Sequence, residues 1–409
     1  MKNKKYLAWF IDSNDNKLFN ANVLNSNLLI NKICEKFEKI YMINFNNLKL
    51  FSNKKSKFNF ELDKNLQLPN NIEFFYPFNS KDFKSFMIGK ELIGINSIGR
   101  NFTDLKIHFL LARHNIKQVQ IANLGNIQGT PRYIKNFLWK YLLLKIKYIF
   151  GHKFTVFLSN LGLISKMEIR FHTNSDIIEY SKKGKNFYNK IFNYFKLHFA
   201  KEFIPINSRS FDQIKESTIK VEENQIVLLD EMLNDIHWTR LRKSLDEKSI
   251  AKHYFHLEKL MKHLSDIYNK KIVVCIHPMD DLKLKKKYFP DFEVVQYQTK
   301  ENIFKAFIVV FFESSAIVDA ILLKKKIITV LSNYLDENQK AHNLRLHNKI
   351  GITKINIEDG IPTSKNDFLI HLNNITENYS DHIKSYIAQD GNNLGYEKII
   401  KTLKERFFN

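Results

Sequence analysis

Short apolar runs recur along the chain, separated by stretches in which apolar residues return at helical spacing. Tyr6–Ile11, Ile40–Asn44, Ile72–Tyr76, Leu92–Ile95 and Val119–Ile121 read as strands. Asn25–Phe37, a stretch from Ser80, and Phe102–His114 read as helices between them. Strands alternating with helices imply crossover connections and a mostly parallel sheet. From about Glu202 the alternation resumes more clearly. Ile226–Leu229, Lys271–Ile276, Glu293–Gln296, Ile308–Phe312 and Lys326–Leu331 are predicted strands. Ser249–Tyr268, with Ser249 as N-cap, Lys300–Phe307 and a stretch running to Leu323 are predicted helices.

Pro131–Ala200 breaks this pattern. Tyr133–Phe150 and Asn186–Phe199 are rich in aromatic and aliphatic residues with Lys interspersed, and read as basic amphipathic helices. Such helices either lie in an anionic membrane interface or pack on the domain with Lys at the outer edge. Their apolar residues cover too much of the circumference for a clean surface helix, which favours packing. The expected organisation is an α/β protein with two Rossmann-like domains facing a central cleft. The expected boundaries are 1–130 for the first domain, 131–201 for the basic helical segment and 202–390 for the second domain. Residues 391–409 form a C-terminal helix that crosses back to the first domain.

The chain has 409 residues, a length that suits two cores better than one. Cys34 and Cys275 are its only cysteines, so a disulfide scaffold is excluded. Met1–Ile11 lacks the long apolar stretch and cleavage site of a signal peptide, and no window has the apolar length of a membrane span. The expected location is cytoplasmic, with peripheral contact at the inner face of the plasma membrane as an extension. The 64 Lys and Arg outnumber the 42 Asp and Glu, giving a net charge of +22. Only nine of those cations are Arg, whereas readers of bases and phosphates lean on the guanidinium fork. Lys-rich coding in an AT-rich genome explains most of the excess, and nucleic acid is not the expected partner. Pro131–Ala200 nevertheless holds 13 basic residues against three acidic ones.

In open parallel sheets, ligands bind beyond the carboxyl ends of the strands. Three polar clusters follow predicted strands of the second domain directly: Asp230–Glu231, His277–Pro278 and Glu313–Ser314–Ser315. Ser314 and Ser315 would open a helix and offer hydroxyls and free N–H groups to a phosphate, or simply cap it. His277 would bond a phosphate or protonate a leaving group, or cap its strand, and Pro278 would end the ladder. One of Asp230 and Glu231, with Asp230 preferred, would accept a proton from an attacking hydroxyl. Asp235 and His237 are substitutes. The glycine-rich dinucleotide fingerprint and the P-loop pattern are both missing, as is zinc-ligand spacing among the His residues. No metal and no resident cofactor are expected.

At these clusters the sequence resembles bacterial glycosyltransferases of the GT-B architecture, above all those using CMP-activated nonulosonic or ulosonic acids. These are sialyltransferases, polysialyltransferases and related enzymes of capsule and lipopolysaccharide synthesis. His277–Pro278 and Ser314–Ser315 match the family's His-Pro and Ser-Ser motifs in order and at similar separation. The resemblance covers residues 226–331. Met232 stands where the family has glycine after its acidic pair, so a base in the first domain, Asp12 or Asp15, is a further candidate. Asn207–Asp212 and Leu394–Glu397 also look like segments of capsule-type biosynthesis proteins. The resemblance implies an inverting, metal-independent transfer from a CMP-sugar to a hydroxyl of a surface or lipid-linked glycan. His277, Ser314 and Ser315 would hold the phosphate. A UDP- or GDP-sugar or CDP-glycerol donor is the alternative, and a non-enzymatic nucleic-acid- or lipid-binding protein is another.

Overall fold

The computed structural model describes residues 4–12, 16–49, 68–98, 102–122, 154, 157–159, 161–165, 167–173, 200–230, 246–278, 280–311, 314–334, 347, 350–359 and 379–409. Asp15, Glu231, Asp235, His237, Glu313 and both predicted basic helices, 133–150 and 186–199, lie outside them. The chain divides into two compact units. One comprises Met1–Gly125, Phe137–Asp212 and Ala388–Asn409; the other comprises Asn126–Asn136 and Gln213–Ile387.

The first unit is built on a seven-stranded sheet with the order β3-β2-β1-β4-β5-β6-β7. Its strands are β1 Lys4–Ile11, β2 Ile40–Asn44, β3 Ile72–Phe75, β4 Lys90–Asn96, β5 Lys117–Ala122, β6 Met167–His172 and β7 Ala200–Pro205. Every pairing is parallel. The helices α1 Asn16–Cys34, α2 Ser80–Phe86 and α3 Leu105–Arg113 supply crossovers. Helix α1 begins nine residues before the predicted Asn25, through an Asn-rich stretch whose polar residues concealed the period.

β6 and β7 correct the sequence reading at the basic segment. Met167–His172 alternates, with Met167, Ile169 and Phe171 buried between Glu168 and Arg170, and pairs with β5. A charged residue at every second position hid that strand. β7 runs through Ala200–Pro205, so the first sheet passes the boundary expected at 202, and the long segment of the second unit begins at Gln213.

The second unit holds a six-stranded parallel sheet of order β10-β9-β8-β11-β12-β13. The strands are β8 Gln225–Leu229, β9 Lys271–Ile276, β10 Glu293–Gln296, β11 Ala306–Phe311, β12 Lys326–Leu331 and β13 Thr353–Asn356. β8, β9 and β11 read as near-continuous apolar runs because helices cover both faces of such a sheet. Between Arg209–Lys215 (α4) and the end of this sheet lie α5 Glu247–Tyr268, α6 Leu282–Tyr288, α7 Thr299–Phe304 and α8 Ile317–Leu322. Helix α5 packs Tyr254, Leu257, Leu260, Met261 and Leu264 onto Ile226, Leu228, Ile272, Val274 and Ile276. Its N-cap is Asp246, which accepts from Ser249 N at 2.8 Å, so the cap is three residues earlier than the predicted Ser249. Two Rossmann-like α/β domains are therefore present, each with its strand order reversing beside its first strand.

The chain leaves the first unit after Asp212 and re-enters it at Ala388. Those two passages are fastened together. Asn207 donates to the carbonyls of Gly391 and Asn393 at 2.9 and 2.7 Å and accepts from Asp390 N at 2.8 Å. The Asp212 carboxylate accepts from Gly395 N and Tyr396 N at 2.7 and 3.0 Å, capping the helix Gly395–Leu403 (α9). Helix α9 then lays Tyr396, Ile399, Ile400 and Leu403 into the core that holds Ile30 and Ile33 of α1. The two segments singled out in the sequence for their likeness to capsule enzymes are thus the two halves of this fastening.

A Cβ on Gly395 would lie 2.6 Å from the Asn207 carbonyl oxygen, a backbone atom that cannot swing away. Gly395→Ala is expected to cost about 2 kcal/mol, as other forced overpacking does. Asp212→Ala is expected to cost roughly 1 kcal/mol through the lost cap. Denaturant melts of the two variants check both values.

Candidate functional site

The strand order of the second sheet puts its switch point between β8 and β11, where crossovers leave toward opposite faces and open a crevice. Asp230 follows β8, His277–Pro278 follow β9 on its flank, and Ser314–Ser315 lie just past β11. The described members of the predicted clusters therefore follow neighbouring strands at one sheet edge. β9 and β11 both pair with β8, so their ends stand two strand spacings apart, about 10 Å.

The turn between β9 and α6 is held from several sides. Gln296, the last residue of β10, donates its Nε2 to the carbonyls of His277, Pro278 and Asp280 at 3.3, 3.0 and 3.1 Å. Tyr297 donates its hydroxyl to the Pro278 carbonyl at 3.2 Å. Tyr297 sits at φ 66°, a left-handed conformation that bulky residues rarely adopt. Asp280 N donates to the His277 carbonyl at 2.9 Å, and Asp281 caps α6 by accepting from Lys283 N and Leu284 N. The backbone is fixed while the His277 side chain is exposed to solvent. A rigid loop carrying an exposed imidazole is a suitable mount for acid–base or anion-binding work.

Beneath that turn lies a buried ion cluster. Ile226 and Leu228 point toward α5, and strand alternation carries Asp230 to the same side, where it is buried. Its carboxylate accepts from Lys285 Nζ of α6 at 2.5 Å. Lys285 also pairs with Asp280 at 3.0 Å and donates to the Tyr254 hydroxyl. The side chains of Lys285 and Asp230 are each only 3% exposed. Burial alone would push the Lys285 amine down, but Asp230, Tyr254 and Asp280 outweigh it and hold the ammonium well above its ordinary value. Burial and Asp230 likewise push the Tyr254 phenol far up, so it stays a neutral donor. His253, next along α5, is driven down to about 3 by burial, with the charges of Lys285 and His256 adding to the effect.

Ser314 and Ser315 differ from expectation in their local structure. They form a turn ahead of α8, whose N-cap is Ala316. Ser314 Oγ accepts from Ala316 N at 3.3 Å, while the Ser314 and Ser315 carbonyls accept from Ile317 N and Val318 N. Three N–H groups that a phosphate might have used are therefore engaged within the turn. Ser315 is exposed. In the first unit, Asp12 follows β1 at the equivalent switch point and pairs with Lys49 at 2.7 Å. Among the described residues, no three His, Cys, Asp or Glu side chains come together as a metal site.

Sequence reasoning missed Lys285, Tyr254, Asp280, Gln296 and Tyr297. Lys285 stands in the run Leu282–Tyr288, where four of seven residues are Lys, and helical phase alone separates it from its exposed neighbours. That phase could have been used: Lys285 and Phe289 lie four apart, and both are buried.

No family model matches the sequence, and no curated protein is similar to it in sequence. Distant structural similarity extends over the whole chain. The UDP-GlcNAc 2-epimerase from Methanocaldococcus jannaschii is 11% identical, with 98% of this chain and 100% of that one covered and a TM-score of 0.49. The wall teichoic acid polymerase TagF (H548A) is 11% identical, with 98% and 89% covered and a TM-score of 0.49. The calicheamicin glycosyltransferase CalG4 is 10% identical, with both chains fully covered and a TM-score of 0.45.

Removing Lys285 would leave two carboxylates buried without their cation. Lys285→Met is expected to cost roughly 3–5 kcal/mol, and adding Asp230→Asn should recover part of that loss; urea melts of the single and double variants measure both. His253 supplies a pH signature. Its folded pKa is depressed, so the unfolded chain takes up the proton first as pH falls. Stability from this group is complete above about 6.5 and is lost as pH drops toward about 3. The slope approaches about 1.4 kcal/mol per pH unit, and His253→Gln is expected to flatten it. Melts at stepped pH, wild type against variant, test the assignment.

Proposed function

We propose that this chain is an inverting GT-B glycosyltransferase that moves a nonulosonic or ulosonic acid from a CMP-activated donor to a hydroxyl of a surface glycan. The observation that carries the reading is the exposed His277 on a turn clamped by Gln296, Tyr297 and the Lys285 cluster, at the carboxyl edge of a doubly wound sheet. The His-Pro and Ser-Ser motifs that resemble the family's follow β9 and β11, which supports the reading. The donor phosphate lies between the ends of β9 and β11, held by His277 on one side and the Ser314 and Ser315 hydroxyls on the other.

Departure of CMP leaves an oxocarbenium-like sugar, and the electron pair of the broken bond goes to the phosphate oxygen. His277 stabilises or protonates that oxygen. The acceptor hydroxyl attacks the opposite face of the anomeric carbon, which inverts it, and a carboxylate takes the hydroxyl proton. Asp230 would have to abandon Lys285 to serve as that base, and Asp12 would have to abandon Lys49. Of the other candidates, Glu231, Asp15, Asp235 and His237, we take Glu231, the second acid of the cluster after β8, as the base. Asp230 becomes the counter-ion that seats the turn under His277. Pro278 follows β9, and neither it nor Glu313 carries a proton in this scheme. The sequence of steps needs no metal.

The same edge accommodates a UDP- or GDP-sugar or CDP-glycerol, since both the His277 turn and the serine turn address a phosphate rather than a base. Thermal shift with CMP, CDP, UDP and GDP separates these donors, because a ligand specific for the folded state raises the melting temperature by mass action. CMP is expected to give the largest shift. His277→Ala is expected to lower turnover of a CMP-sugar by about 10²- to 10⁴-fold. Glu231→Gln should do the same while leaving the CMP shift intact. Normal turnover in His277→Ala, or no shift with any nucleotide, sinks the reading.

A further inference from the structure

Helix α7 carries a cation where its pattern calls for an apolar residue. Coming after β10 and leading into β11, it runs from the carboxyl edge of the second sheet to the amino edge and lies on β8, β9 and β11. Lys300, Ile303 and Phe304 share one face of this helix, and Ile303 and Phe304 are buried. Lys300 belongs to the same inward face, one turn closer to the carboxyl edge, and is half-buried, whereas Glu301 is exposed.

The place of Lys300 relative to the His277 turn follows from β9. Ile272, Val274 and Ile276 face α5, so Val273 and Cys275 face the other way, and alternation carries His277 to that second face. The hydroxyl of Thr299, at the head of α7, lies close enough to the Cys275 thiol to offset part of the pKa rise that burial imposes there. The next residue, Lys300, therefore stands beneath the switch point on the His277 side of the sheet.

The partners of Lys300 fall short of what an ammonium can use. Its Nζ donates to Gln213 Oε1 of α4 at 3.4 Å, a long bond to a neutral acceptor, and among the described residues this is its one hydrogen bond. Asp319 of α8 and Glu301 act on it electrostatically, without an ion pair among the described residues, and burial outweighs both and lowers its pKa. Two other inward lysines of this unit are better supplied. Lys285 has two carboxylates and a phenol, and Lys325 has two carbonyls at 2.8 and 2.9 Å. A half-buried cation with so few partners, at the edge where ligands enter such sheets, marks the place of an anionic group.

We propose that Lys300 meets a second anionic group of the donor, beside the phosphate addressed by His277, Ser314 and Ser315. That group is the carboxylate of a ulosonic acid or the second phosphate of a nucleoside diphosphate. The inference rests on the donor reading above and makes Lys300 a specificity-determining residue. Both donor classes weighed there carry a second negative group, and CMP alone does not. In a ulosonic acid the carboxylate is attached to the anomeric carbon itself, so a cation next to the phosphate site reaches it without a further pocket.

Titration calorimetry of the full chain with CMP, CDP and CMP-N-acetylneuraminate tests this. Lys300→Met is expected to weaken the ligand that carries the second anion by about tenfold or more, as loss of a charge-assisted hydrogen bond does, and to leave CMP within about threefold. Lys300→Gln can keep the bond to Gln213 while removing the charge, and should show the same loss if Met is not tolerated. Lys300→Arg should retain most of the preference, which separates recognition of an anion from support of the fold. A loss confined to the CMP-sugar identifies the carboxylate as the partner, and a loss confined to CDP identifies the second phosphate. Inorganic pyrophosphate, a probe without a base, distinguishes this inference from the donor reading. A melting shift with pyrophosphate that Lys300→Met abolishes keeps the anion site even where no nucleotide binds and the donor reading has fallen. Equal weakening of CMP and the two-anion ligands, unchanged affinity for all of them, or no shift with pyrophosphate or any nucleotide overturns the proposal.

Discussion

The second unit is organised around one buried cation. Lys285 ties together Asp230 at the end of β8, Asp280 in the turn after β9, and Tyr254 of α5. Each of these elements meets the sheet through its own hydrophobic contacts, and those are non-directional. They fix depth and packing but tolerate small slides along the strand axis. The ion cluster is directional: Lys285 hydrogen-bonds Asp230 and Tyr254 and pairs with Asp280 at 3.0 Å. Burial makes the arrangement stiff, because any slide leaves a charge unpaired in a medium of low polarity.

That stiffness reaches the surface through the turn 277–281. Lys285 holds it from below by Asp280, and Gln296 and Tyr297 hold it from the side through main-chain carbonyls. These contacts run through main-chain carbonyls and the Asp280 carboxylate, and the His277 side chain is exposed. Tyr297 accepts an unfavoured backbone conformation in the same place. Such strain persists only where surrounding contacts over-determine it, as they do here. A turn held in this way would lose little order on meeting a ligand.

The parts of this design were unequally legible in the sequence. β2, β9, β10 and β12 could be placed to the residue, since an apolar run with charged or polar ends has one reading. β6 was not, because its outward positions are Glu and Arg and its neighbourhood is dominated by Lys. The strand ends that carry Asp230, His277 and Ser314 followed from the strands themselves. What those residues do there did not. Asp230 reads as a candidate base until Lys285 is seen beside it, and that pairing joins positions 55 residues apart. The serine turn reads as a helix start until its hydrogen bonds are counted. A linear pattern records which faces are apolar, whereas the pairing of buried polar groups is a property of the fold.

Lysine shows why composition alone misled. Lys285 and Lys325 are both 2% exposed and have opposite electrostatic settings. Lys285 has carboxylate partners, and its ammonium is stabilised beyond its ordinary range. Lys325 donates to the carbonyls of Glu222 and Phe304 at 2.8 and 2.9 Å, and burial pushes its amine down. One is a counter-ion in a cluster, the other a cross-brace between backbone segments that tolerates a weaker hold on its proton. Two carboxylates cancel the Lys285 charge locally, whereas the described hydrogen bonds of Lys325 go to neutral carbonyls. The net charge of +22 thus sums unlike things, internal fasteners and solvated side chains among them. A net charge cannot express these differences of setting.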